Sequence, residues 1–233
     1  MRGKDIARWS WGSKFKIILP QDSGKPSKAM PESTLKIEYP KTFEYFKEFE
    51  KPIRNCALLA QFFDPTVDPF YSSYNVGAYT YAPFKVVWKE ICAEIEAVVI
   101  ASDDDTIIPD HKLVLVAFHS EAPAYFLSGI LNSSPIGLFV RSYTMQTSIS
   151  GHIFDYVAIP EFSAKNPLHM KLVELAKRCH AAAGNTEDLE KLEEKVDQVA
   201  AEVLMVPAAK LKVMREELQL LRGTVSSPSE QDD

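Results

Sequence analysis

No apolar run in this chain approaches the roughly 18 residues that a membrane-spanning helix needs. Its opening, MRGKDIARWSWGSK, lacks the apolar stretch of a secretory signal. Cysteine is scarce: Cys56, Cys92 and Cys179 stand far apart with no CxxC pair, which argues against a disulfide framework and a cysteine zinc site. The histidines His111, His119, His152, His169 and His180 show no metal-ligand spacing. No glycine-rich strand-to-helix turn is present. Gly24-Lys25-Pro26-Ser27 echoes the end of a phosphate-binding loop, but the first glycine is missing and Pro26 removes an amide that such a loop donates. These absences leave a cytoplasmic protein of ordinary composition, 46% hydrophobic and 25% charged over 233 residues. That length holds one large domain, or one domain and an appendage.

The net charge of −6 does not suggest a polyanion partner, but the charge is uneven. Residues 1–90 carry 14 Lys+Arg against 10 Asp+Glu, whereas residues 91–165 carry 3 against 9 and residues 166–233 carry 9 against 13. A modestly basic front half fits nucleic acid better than the total does.

Periodicity predicts a mixed chain. Residues 15–19 (FKIIL) read as a short strand ended by Pro20, and residues 20–34 as a loop rich in Pro, Ser, Gly and Lys. Phe43, Phe46 and Phe49 lie three apart and predict one helix face over residues 41–50. A second helical stretch follows Pro52. Residues 64–83 are aromatic and turn-rich, suited to short strands and loops. Apolar strands are predicted at 85–88, 97–101 and 112–118, with Asp103-Asp104-Asp105 as a solvated turn. Helices broken at Ser133-Ser134-Pro135 follow over residues 121–143, and residues 152–159 read as a strand leaving at Pro160. Beyond it the chain turns helical: Asn166-Pro167 is an N-cap with proline at the first helical position, and Gly184 closes the run. Leu168, Leu172, Leu175 and Cys179 mark a buried face. Leu189, Leu192, Val196, Val199 and Val203 then step by heptad intervals, and Leu211, Met214, Leu218 and Leu221 continue them past Pro207.

The front half interleaves cations with aromatic rings. Arg2, Lys4, Arg8, Trp9, Trp11, Lys14 and Lys16 share one stretch, and Tyr71, Tyr74, Tyr79 and Tyr81 form a second group followed by Lys85. Cations neutralise phosphates and aromatic faces stack on bases; the alternative is that the tryptophans and alternate tyrosines are core. Asp110-His111-Lys112 has the D-x-K spacing of a metal-dependent nuclease, or else simply opens a strand. The heptad seam at 189–203 could pair with another chain's helices, or close an intrachain hairpin at Pro207.

Successive blocks carry a resemblance. RGKDIARW, YPKTFEYFKEFEKPIRN, FYSSYNVGAYTYAPFKVVWKEI, IIPDHKLVLV, YFLSGILNSSPIGLFVRSY and QTSISGHIFDYVAIPEF are similar, in this order, to the target-recognition domains of N6-adenine DNA methyltransferases of restriction–modification systems. The similarity is strongest to large type II enzymes that fuse methylase and recognition functions, and it covers nearly all of residues 1–205. The catalytic half of such enzymes has no counterpart here. The Asn/Asp-Pro-Pro-aromatic loop that holds a flipped adenine is missing, since Asn166-Pro167-Leu168 has neither the second proline nor the aromatic.

The expectation is an α+β target-recognition domain over residues 1–163, a helical C-terminal part over 164–222 forming a hairpin, and a disordered tail over 223–233. The resemblance implies sequence-specific recognition of double-stranded DNA beside a methyltransferase catalytic domain or subunit, with no membrane partner. S-adenosylmethionine would belong to that catalytic partner and no cofactor to this chain. The expected DNA-binding residues are Arg2, Lys4, Arg8, Trp9, Lys14, Tyr74, Tyr79 and Lys85, with no catalytic residue and no metal site. The alternatives are a protein-interaction module working through the C-terminal helices and a nuclease using Asp110 and Lys112.

Overall fold

Residues 84–88, 97–101 and 113–118 are dense in Val with Ile, Leu, Phe and Trp, and β-branched and aromatic side chains of this kind suit a pleated, buried surface. In the computed structural model they form a three-stranded antiparallel sheet. The structure describes residues 1–12, 14–22, 24–101, 106–143, 149 and 154–224. The central strand, β5 (Phe84–Lys89), lies between β6 (Val98–Ala101) and β7 (Leu113–Phe118), in the order β6-β5-β7. The strand is buried on both faces. Val86 and Trp88 join the main core, while Val87 packs with Val98, Ile100, Leu113 and Ile6 on the other side.

The chain forms two compact units. The larger comprises Met1–Lys14 and Pro83–Asp233. Its main core sets the sheet against α5 (Glu121–Leu131), α6 (Ser134–Tyr143), α7 (Pro167–Ala181) and α8 (Thr186–Val203); α9 (Ala208–Thr224) packs on α6 and α8. The fold is mixed α+β, as the sequence predicts. α7 and α8 share one core with the sheet. α5 is apolar nearly all round, as a helix buried between layers must be. Its Gly129 admits Leu172 of α7 so closely that a Cβ there would lie 2.9 Å from the leucine side chain. Asn166 caps α7 by accepting from the Leu168 amide at 2.9 Å. The heptad residues of α8 face this same core, with Leu192, Val196 and Val199 buried.

An edge strand exposes unpaired amides and carbonyls unless something covers them. On β6 side chains do so. The Asn132 amide group donates to Ala97 O and accepts from Ala97 N, both at 2.8 Å, and His180 Nε2 accepts from Val99 N at 2.9 Å. Burial pushes the His180 ring below the ordinary histidine value, as it does for His169, whose Nδ1 accepts from Ser163 N at 3.0 Å. A lowered folded-state value means that the unfolded chain binds protons first as the pH falls. The stability from these neutral rings is therefore complete above about pH 6.5 and drains below it, by up to about 1.4 kcal/mol per pH unit for each ring. Urea midpoints at neutral and mildly acidic pH should show this loss, and His180→Gln should remove part of it. An unchanged pH dependence in that variant would show that the ring does not titrate with unfolding.

The smaller unit, Phe15–Ala82, holds a hairpin of β3 (Gln21–Asp22) and β4 (Lys25–Ala29), followed by α1 (Glu32–Glu38), α2 (Pro40–Glu48), α3 (Glu50–Arg54) and α4 (Ala57–Phe62). Its core is small: Leu35, Phe43, Phe70 and Tyr71, flanked by Phe46 and Ile53.

Four local readings change. Residues 15–19 do not form a strand, and Phe15, Ile17 and Ile18 are exposed. The expected loop at 20–34 contains the hairpin and the start of α1. Residues 64–83 hold a short 3-10 helix, Ala78–Tyr81, rather than strands. Residues 154–159 are not extended into a strand, and the first part of that predicted strand lies outside the described residues. So do Asp103-Asp104-Asp105 and residues 225–233 of the expected disordered tail.

Candidate nucleic-acid interface

Only Trp9 of the N-terminal cation–aromatic cluster is buried; Lys4, Trp11 and Lys14 are exposed. Ile6–Ala7 and Ser10–Trp11 form β1 and β2, joined by a two-residue turn at Arg8-Trp9. Trp9 has φ 68°, a left-handed conformation uncommon for a bulky residue, and this conformation accompanies a side chain only 1% exposed. Its indole donates to Glu193 Oε1 at 2.7 Å and meets the His180 ring edge-on at 5.2 Å. Arg8 is held by Glu94 at 3.4 Å and Glu193 at 3.5 Å. The Arg2 amide donates to Asp5 at 2.7 Å. Lys4 and Lys14 are exposed and have no ion-pair partner among the described residues.

Trp9 and Lys85 must therefore leave the expected DNA-binding set. Lys85 sits in the central strand with 0% exposure, and loss of water pulls its ammonium down to about 8. A duplex can reach neither side chain. Arg8 stays partly exposed but shares Glu94 with two other arginines and also pairs with Glu193.

Glu94 organises this region. Arg222 reaches it with three hydrogen bonds, at 2.7, 2.8 and 3.2 Å, Arg141 with one at 3.2 Å, and Arg8 with one at 3.4 Å. Burial opposes ionisation of Glu94, but the bonds and charges of Arg222, Arg8 and Arg141 outweigh it and hold the carboxyl below its ordinary value. Nearby, Asp197 accepts from the Ser134 amide at 2.6 Å and its hydroxyl at 2.5 Å, capping the start of α6, and pairs with Arg215 at 3.0 Å. Its burial raises its value despite those bonds. A cavity of about 390 Å³ opens among Arg8, Glu193, Asp197, Arg215 and Arg222. Cations and carboxylates there match each other, so this surface has no uniformly positive field for a polyanion.

Asp110 is also occupied by local structure. Its carboxylate accepts from the Lys112 amide at 2.8 Å and its own amide donates to Met1 O at 2.9 Å, an arrangement that starts β7. The α8 seam proposed for partner helices faces the chain's own core.

The smaller unit offers a different surface. It carries eight Lys+Arg against eight Asp+Glu. Lys36 pairs with Glu32, and Lys47 and Arg54 both pair with Glu50. Lys16, Lys25, Lys28, Lys41 and Lys51 are exposed and have no ion-pair partner among the described residues. Tyr74 is exposed and stacks on Phe62, with centroids 5.2 Å apart and planes 8° from parallel. Tyr79 is exposed too, its hydroxyl fixed to Asn75 O at 2.6 Å. Its ring lies so near Gly77 that a Cβ there would come within 2.7 Å of it. Of the expected residues, Tyr74 and Tyr79 thus lie in this unit, and Lys4 and Lys14 in the other. Lys25 and Lys28, outside the expected set, are exposed in this unit as well, in a stretch with no acid from residue 24 to residue 31.

Among the described residues no helix is long and apolar enough to cross a membrane. No known family model matches the chain, and no curated protein matches it.

Proposed function

We propose that this chain is the DNA target-recognition part of an N6-adenine DNA methyltransferase of a restriction–modification system. The observation that carries the reading is the ordered series of sequence blocks, from RGKDIARW to QTSISGHIFDYVAIPEF, that resembles such domains. The exposed lysines and tyrosines of the smaller unit support it, because they are the side chains that neutralise phosphates and stack on bases. A catalytic domain or subunit supplies S-adenosylmethionine and flips the target adenine, and this chain positions the duplex and reads its base edges.

Alone, the chain binds DNA weakly. The larger unit has 18 Lys+Arg against 24 Asp+Glu, and the smaller is neutral. Fluorescence anisotropy with a labelled duplex should give a nonspecific Kd of about 10⁻⁴–10⁻⁶ M at physiological salt. Log K should fall against log salt by about 0.9 for each phosphate contacted. Binding absent even at low salt, or indifferent to salt, would overturn the proposal.

A further inference from the structure

The β3–β4 hairpin is irregular in a particular way. Asp22 pairs with Lys25, but Gln21 pairs with Ala29. One step along β3 therefore corresponds to four along β4, and Pro26, Ser27 and Lys28 have no opposite residues in the ladder. Bulges of this sort re-aim side chains away from the pleat. Lys25, Ser27 and Lys28 are all exposed, and neither lysine has an ion-pair partner among the described residues.

The base of the same hairpin is fixed. Met30 N donates to Pro20 O at 2.8 Å, Gln21 Nε2 to Ser73 O at 2.7 Å, Tyr71 Oη to Met30 O at 2.8 Å and Tyr81 Oη to Gln21 O at 3.3 Å. Gln21 is buried, and Tyr71 belongs to the small core. A ribbon held at its base and bulged outward at a cationic end is built to enter a groove lined with negative charge.

We infer that this hairpin is the element of the smaller unit that enters the major groove of duplex DNA, with Lys25 and Lys28 on phosphates and Ser27 between them at the base edges. The inference rests on the proposed function and adds the reading element to it. Dimensions agree: a two-stranded ribbon has strands about 4.8 Å apart and fits a groove roughly 12 Å wide. Lys25 and Lys28 lie on either side of Pro26-Ser27 in the bulged segment, and their long exposed side chains extend toward backbone phosphates. A serine hydroxyl donates or accepts at a base edge.

The test uses the full chain and a fluorescein-labelled duplex of mixed sequence. The double variant Lys25→Gln/Lys28→Gln should melt like the parent, because both side chains are exposed. Its salt slope should be smaller by about two units, close to 0.9 for each lysine. Lys210→Gln/Lys212→Gln on α9 makes the same change in net charge and should keep the parent's slope. Benzoylphenylalanine placed at position 27 in place of serine should crosslink to the duplex on irradiation, and the same group at position 33 on α1 should not. If the parent binds but the hairpin variant keeps its slope, or both double variants lose slope equally, the hairpin assignment falls and the recognition function stands. If the parent binds no duplex at low salt, the recognition function itself falls.

Discussion

Replacing Glu94 by alanine should cost the larger unit about 3 kcal/mol, the lower end of what breaking a buried ion network costs. Three guanidinium groups converge on this one carboxylate, whose side chain is 12% exposed. Without it Arg8, Arg141 and Arg222 face each other with no anion at their centre. Arg222 is nearly half exposed and can turn to water, which places the estimate at the low end. Arg141 cannot, since it is 11% exposed and also donates to Leu221 O at 2.6 Å near the end of α9. For a unit of this size the melting temperature should fall by about 6–12 °C. Glu94→Gln keeps the volume and an acceptor oxygen and should lose less. Calorimetry on both variants checks this, and a Glu94→Ala protein that melts within about 1 °C of the parent would mean that the network contributes nothing net.

The same network explains what could and could not be read from the sequence. α7 was legible because its start is local: Asn166 and Pro167 adjoin the turn they organise. The three-stranded sheet was legible because β5, β6 and β7 carry dense β-branched runs. Residues 15–19 and 154–159 are also rich in apolar side chains, yet a strand exists only if another strand pairs with it, and that is settled elsewhere in the chain. The hairpin escaped notice for the opposite reason. Its strands are short and bulged, and its Pro, Ser and Gly content is that of a loop. The site was less legible than the fold. Arg8 meets Glu94, 86 positions away, and Trp9 meets Glu193, 184 positions away. Nothing within the first 14 residues distinguishes a cation that faces DNA from one that faces a distant carboxylate.

Trp9 makes that distinction measurable. Trp9→Ala should destabilise the protein by about 3–5 kcal/mol, the usual range for emptying a buried aromatic site. The indole fills the core beside His180, and its N–H donates to Glu193, which also pairs with Arg8. One effect runs the other way. At φ 68° a bulky side chain is disfavoured, so Trp9→Gly relieves backbone strain of about 1 kcal/mol and should end slightly more stable than Trp9→Ala. Trp9→Phe retains most of the ring volume while Glu193 keeps Arg8, so it should lose about half as much as Trp9→Ala. DNA binding separates core from surface. At a temperature where Trp9→Ala is still folded, a buried role predicts the parent's affinity and salt slope, because no base or phosphate contact has been removed. A stacking role predicts the reverse: little loss of stability, and a binding loss of about 1–3 kcal/mol with the slope unchanged. The 1% exposure of Trp9 decides for the first outcome. A Trp9→Ala protein as stable as the parent but impaired on duplex DNA would return this residue to the interface.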